Sequence, residues 1–186
     1  MKETWVIKIG SSLVTKSNTG LNTKNIKSWV AQINQIINNN INVIIVSSGA
    51  IAEGMNRLGL GKRPNSSSQL QALAAIGQMG LVKAYEVAFK KYNILTAQML
   101  LTHEDLSDRT RYLNARNTLS NLIKYNTVPI INENDTISTD EIKFGDNDTL
   151  ASLVANLSEA KLLVMLTDQN GLYTSDPKLK KTSQLI

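Results

Sequence analysis

"INVIIVSSGAIAEGMNRLG", residues 41–59, decides the fold. Its first part, 41–46, is a run rich in Ile and Val, apolar without alternation over 43–46, as expected of a strand covered on both faces rather than one. "SSGA" (47–50) ends the run with small and hydroxyl-bearing residues, and a pattern of helical length follows over 50–59. A strand that enters a helix through a short polar turn is the repeating unit of a parallel sheet. The same reading recurs along the chain. Strand-like runs lie at "TWVIKI" (4–9), "NILTAQML" (93–100), "TVPIIN" (127–132) and "KLLVML" (161–166), with helical patterns at roughly 23–38, 67–91, 110–125 and 147–158. Strands alternating with helices predict an α/β protein, an αβα sandwich around a mostly parallel central sheet. Pro129 near the start of its strand is tolerable there, whereas it would break a central ladder. "ISTDEIKFG" (137–145) is expected to be a small excursion or hairpin, and "GLGKRPNSS" (59–67) a loop. With no internal repeat or linker, 1–186 reads as one domain.

At 186 residues and 42% hydrophobic composition the chain can bury one sizeable core. The net charge is +5, but the cations do not gather on one run. The densest clusters are "FKKY" (89–92) and "KLKK" (178–181), and aromatics are only 5%, so no base-stacking platform and no nucleic-acid partner are expected. The absence of cysteine excludes disulfides, thiolate metal sites and thiol nucleophiles. The start, "MKETWVIKIG", lacks an apolar signal core and no run approaches a membrane span, so a soluble, cytoplasmic protein is expected. The single histidine, His103, argues against a Ser-His-Asp triad or a His-based zinc site and suits a helix-capping or surface position. Trp5 and Trp29 are assigned to the core. The repeat "LQALAAIGQMGLVKAYEVAF" (70–89) is read as packing, against the sheet or equally against a second subunit.

In an open α/β sheet, ligands bind beyond the carboxyl ends of the strands. The segments after the proposed strands are "GSS" (10–12), "SSGA" (47–50), "NEND" (132–135) and "TDQNG" (167–171), so glycines, hydroxyls, amides and carboxylates share one predicted rim. Gly10 permits close backbone approach, Ser11 and Ser12 add donors and Lys8 adds charge, which suits a phosphate; the other reading is a plain turn with a solvated lysine. The sequence G-x-x-x-x-G-K-[ST] is absent. In "SSGA", Ser47 or Ser48 could serve as an ordinary N-cap, or the free N–H groups of the helix could hold a carboxylate or phosphate. Asn132 and Asn134 could be turn formers, while Asp135 could accept from an ammonium group. "FGDND" (144–148) places two carboxylates, an amide and a glycine at a helix start where one cap would suffice.

Six segments in register, "KIGSSLVT", "VSSGAIAEGMNRLG", "QALAAIGQMGLVKAYE", "PIINENDT", "FGDNDTLASLVA" and "LTDQNGLYTSDP", together resemble the amino acid kinase family, and within it the glutamate 5-kinase branch. The likeness runs from Lys8 to Pro177. It implies ATP-dependent phosphorylation of the γ-carboxylate of L-glutamate to L-glutamyl 5-phosphate, the entry to proline synthesis, with ATP as co-substrate, Mg²⁺ as cofactor, proline as feedback inhibitor and a homo-oligomer. By the same resemblance, Lys8 and Asp148 are catalytic, Lys8 on the transferring phosphate and Asp148 organising the catalytic lysines. ATP binding falls to Lys8, Gly10, Ser11, Thr167 and Asp168, and glutamate binding to Ser48, Gly49, Ala50, Asn132, Asp135 and Asn147, with the metal ligands unassigned. The family pattern is expected to continue beyond Ile186 with a glycine-rich stretch and a second catalytic lysine, so the kinase domain is expected to be C-terminally incomplete here and to lack the RNA-binding-like domain that many members carry. The chemistry agrees with the residues: a γ-carboxylate with an ordinary pKa of about 4.3 is already ionised at neutral pH, so no general base is needed.

Overall fold

The computed structural model describes residues 2–16, 20–138, 147–168, 171, 173–175, 180 and 182–186. Among these, five strands form one parallel sheet: β1 (Thr4–Ile9), β4 (Asn42–Ser47), β5 (Leu95–Leu101), β6 (Thr127–Glu133) and β7 (Leu162–Leu166), in the order β5-β6-β4-β1-β7. The helices are α1 (Ser11–Val14), α2 (Thr23–Asn38), α3 (Ala50–Arg57), α4 (Ser67–Lys90), α5 (His103–Ser107), α6 (Arg109–Lys124) and α7 (Asn147–Leu157). A two-stranded antiparallel ribbon, β2 (Thr15–Lys16) with β3 (Gly20–Leu21), follows α1.

Alternation along the strands divides the core into two layers. Ile7, Ile45 and Ile130 face one side, where they pack with Ile26, Val30 and Ile33 of α2 and Ala74, Leu81 and Phe89 of α4. Val6, Ile44 and Ile131 face the other, against Ala115 and Leu119 of α6 and Leu150, Val154 and Leu157 of α7. Both faces are covered, as the apolar strands require, and the αβα sandwich is the observed architecture.

Two details differ from the sequence reading. Pro129 is the third residue of an internal strand; it is accommodated because pairing with β4 begins at Ile130, just past it. The short α1, the β2–β3 ribbon and α5 carry too few residues to show a period and were not anticipated. The expected hairpin at 137–145 lies almost wholly outside the described residues. Trp29 is partly buried against the core, and His103 is exposed on the first turn of α5, whose cap is supplied instead by Thr102 and Asp105 in a capping box.

α3 and α4 pack unusually close. A β-carbon on Gly77 would lie 1.8 Å from the Ala50 carbonyl oxygen, and one on Gly54 would lie 2.0 Å from that of Leu73. Backbone meets backbone at this crossing, and no side-chain movement can relieve an added methyl. Gly77→Ala is therefore expected to destabilise the fold by about 3 kcal/mol or more in urea unfolding. Gly61→Ala, where nothing lies within 4 Å, should stay within about 0.5 kcal/mol of the parent; equal midpoints for the two variants would refute the close-contact account.

Candidate functional site

The register aligns the strand ends. Ile9 pairs with Ser47 on one side and Leu166 on the other, and Val46 pairs with Ile131, so Gly10, Ser48, Glu133 and Thr167 emerge at one level. The chain after β4 enters α3 on the α2–α4 face, whereas the chain after the neighbouring β6 leads to α7 on the opposite face. Where adjacent strands send their connections to opposite faces, a crevice opens at their carboxyl ends. A cavity of about 120 Å³ occupies that crevice, lined by Ser11, Ser48, Gly49, Ala50, Asn132, Asp135 and Asn147 from the expected set, and by Arg63 and Glu133.

Each lining residue has a local cause. Gly49 turns the chain from β4 into α3 with φ of +115°, and a β-carbon there would come 3.1 Å from Val14. Neither serine caps α3, contrary to the simpler reading of "SSGA": the N-cap is Gly49, without a side-chain bond. Ser47 is fully buried with its hydroxyl 3.0 Å from the Tyr85 hydroxyl, whose pKa burial pushes up. Ser48 accepts from Asn147 Nδ2 at 2.7 Å. The same Nδ2 donates to Asn132 Oδ1 at 2.9 Å, and Asn132 Nδ2 donates to Gln78 Oε1 at 2.9 Å. Gln78, Asn132 and Asn147 are all buried, so this chain of amides is shielded from water.

Asp135 stands differently. Burial raises its pKa to about 6, against the opposing pull of the Arg63 guanidinium, and no ion pair or hydrogen bond with it appears among the described residues. A carboxylate held partly desolvated on a pocket wall suits a cationic ligand group.

On the α7 face, Lys8 forms an ion pair with Asp148 in the first turn of α7. The positive end of the α7 dipole would repel the Lys8 ammonium, and Asp148 offsets that repulsion. Gly10 lies alongside: its N–H donates to Leu166 O at 3.2 Å, and a β-carbon on it would sit 3.6 Å from Lys8 Nζ. Thr167 and Asp168 follow β7 next to β1 and are exposed, so Lys8, Gly10, Thr167 and Asp168 share the β1–β7 part of the rim. Asp146, Gly145 and Phe144 of "FGDND" lie outside the described residues. Among those described, no three His, Cys, Asp or Glu side chains converge to hold a metal, and no helix is long and apolar enough to cross a membrane.

Gln78, Arg63 and Glu133 were not singled out from sequence. Gln78 sits within an apolar helical repeat where a polar residue on the buried face was the available signal. Arg63 belongs to a loop whose path no local pattern fixes.

The fold and this rim define a class of α/β protein with a polar crevice at the carboxyl ends of a parallel sheet. The chain belongs to the amino acid kinase family, which it matches over residues 3–186. It is similar to glutamate 5-kinase of Nitrosospira multiformis, with 58% identity over 181 residues, covering 97% of this chain and 49% of that protein. Glutamate 5-kinase of Aromatoleum aromaticum is 60% identical with the same coverage. The chain thus spans about half the length of the curated relatives it matches. Among solved structures, the isopentenyl phosphate kinase substrate complex superposes with a TM-score of 0.63 at 20% identity, covering 99% of this chain and 77% of that one. Aspartate kinase from Synechocystis gives 0.59 at 15% identity, covering 99% and 31%. These two likenesses bear on the fold alone.

The raised pKa of Asp135 has a stability consequence. Its ionised form is disfavoured in the folded state, so the cost is absent well below pH 4, grows as pH rises from 4 to 6, and is complete above that. Asp135→Asn is expected to stabilise the ligand-free chain by about 2 kcal/mol at pH 7.5 and to be neutral at pH 4, measured by urea unfolding at both pH values. A variant less stable than the parent at pH 7.5 would contradict this.

Proposed function

We propose that the chain is the glutamate-binding and phosphate-steering part of a kinase that transfers the γ-phosphoryl group of ATP to the γ-carboxylate of L-glutamate, giving L-glutamyl 5-phosphate, the first step of proline biosynthesis. The observation that carries this reading is the polarity of the cavity. Both N–H hydrogens of Asn147 are engaged with Ser48 and Asn132, so the group it can offer a ligand is its carbonyl oxygen. Together with Asp135 this makes two acceptors for an α-ammonium. The Ser48 hydroxyl, which accepts from Asn147 and retains its own hydrogen, and the N–H groups at the start of α3 make donors for an α-carboxylate. A head group with one ammonium and one carboxylate is that of an amino acid.

The γ-carboxylate would then point to Lys8. Two anions must meet in this reaction, and the protein's task is to position them and neutralise charge on the transferring phosphoryl group. Lys8, held by Asp148 beside Gly10, contributes the positive charge; Thr167 and Asp168 are assigned to the nucleotide. Mg²⁺ would be carried chiefly by the ATP phosphates, whose charge it would help neutralise. Proline as inhibitor and a cytoplasmic location are part of the same proposal. Exposed Met79 and Val87 on α4, with Leu95 on the β5 edge, are compatible with the homo-oligomer it includes.

Glutamyl hydroxamate formed from ATP, Mg²⁺, L-glutamate and hydroxylamine tests the reading. Asp148→Asn is expected to lower turnover about 100-fold with little change in the KM for glutamate, because Lys8 loses its anchor. Turnover equal to the parent would remove Asp148 from the mechanism. Glutamate binding, followed by calorimetry, should weaken as pH falls through about 6, where Asp135 gains its proton, and this dependence should vanish in Asp135→Asn. A parent Kd that is flat from pH 5 to 8 would take Asp135 out of ammonium recognition.

A further inference from the structure

We propose that Gln78, on α4 behind the pocket, is a positioning residue that fixes the hydrogen-bonding polarity of the site and thereby its preference for a ligand bearing an α-ammonium. The inference rests on the glutamate reading and deepens it.

An amide side chain can be turned end for end at little steric cost, so a pocket lined by asparagines has two possible polarities. Gln78 selects one. Its Oε1 accepts from Asn132 Nδ2 at 2.9 Å, which turns Asn132 Oδ1 toward Asn147. Asn147 must then answer with its NH₂ group, which it does, at 2.9 Å to Asn132 and 2.7 Å to Ser48. The consequence is an Asn147 carbonyl oxygen left to face the ligand beside Asp135. Reversing Gln78 would reverse the whole sequence: Asn132 would present NH₂ to NH₂ unless Asn147 also turned, and Asn147 would then offer hydrogens to an ammonium.

A second observation concerns the other end of the Gln78 amide. Gln78 and Glu133 both line an adjoining cavity of about 170 Å³. Gln78 Nε2 and Glu133 Oε1 are buried without hydrogen-bond partners among the described residues. One is a donor and the other a carboxylate acceptor. With Oε1 held by Asn132 Nδ2, the NH₂ is the end of the Gln78 amide left without a protein partner among the described residues. Polarity thus passes from Gln78 through Asn132 and Asn147 to the ligand, and Gln78 itself touches no reacting atom.

The test compares L-glutamate with glutarate, which keeps both carboxylates and lacks the ammonium, by calorimetry on the parent, Gln78→Met and Gln78→Glu. The parent should bind L-glutamate at least about tenfold more tightly than glutarate. Gln78→Met fills similar volume without an acceptor, and should bring the two affinities within about twofold while glutarate binding is unchanged. Gln78→Glu retains an acceptor toward Asn132 and should restore the preference. If Gln78→Met keeps the parent's preference, or loses both ligands together with thermal stability while Gln78→Glu does the same, Gln78 is only a packing residue and the inference falls. A parent that binds L-glutamate no better than glutarate would instead overturn the glutamate reading, and this inference with it.

Discussion

The crossing of α3 over α4 governs where everything on the pocket side of the sheet can sit. Gly54 and Gly77 remove the β-carbons that would separate the two backbones, leaving room for neither a methyl group nor a water between them. Because the contact includes the Ala50 carbonyl, it holds the first turn of α3, and therefore the Ser48–Gly49 turn, at a fixed distance from α4. Gln78 follows Gly77 directly. Tyr85, seven residues further and so on the same helical face, bonds Ser47 at 3.0 Å. One helix thus supports the rim at two points, through Gln78 to Asn132 and through Tyr85 to Ser47. Burial keeps the Tyr85 hydroxyl protonated throughout the physiological range, so that tie does not change with pH.

The sheet divides the work of the site between its two faces. The α2–α4 face supplies the Ser48 turn and Gln78, while the α7 face supplies Asn147 and the Lys8–Asp148 pair. Lys8 alternates with Ile7 and Ile9 and so projects to the α7 side, whereas the cavity residues Ser48 and Asn132 gather between β4 and β6. Asn147 and Asp148, adjacent in sequence at the start of α7, diverge by about 100° around the helix. One is buried in the amide relay and the other reaches Lys8. A single helix N-terminus therefore ties the amide relay to the placement of Lys8, which explains why two polar residues stand where a single cap would serve.

The layers and the rim were legible in sequence for the same reason: a parallel strand buried on both faces is mostly apolar, so polar residues concentrate at its ends. "INVIIV" followed by "SSGA" states both facts at once. What sequence could not supply were features set by tertiary contact. α1, α5 and the β2–β3 ribbon are too short for any period, and Ser47 and Ser48 look alike in the chain although one turns to Tyr85 and the other to Asn147. Gln78 is the clearest case. A glutamine in "AAIGQMGL" stands out as polar within an apolar repeat, but its partner Asn132 lies 54 residues away and no local pattern names it.

The two carboxylates of the rim are held in opposite conditions, and that difference assigns their roles. Asp148 is about half exposed and already paired with Lys8, so it does not need a ligand to balance its charge. Asp135 is partly buried, with the Arg63 charge opposing that burial and a pKa raised to about 6. Its ionisation therefore costs free energy in the empty protein, and an arriving ammonium recovers that cost by stabilising the charged form. A paired carboxylate orients; an unpaired, desolvated one selects. Had the two environments been exchanged, an unpaired Lys8 would compete for any anion near the rim, and a pre-neutralised Asp135 would discriminate poorly between an amino acid and a simple dicarboxylate.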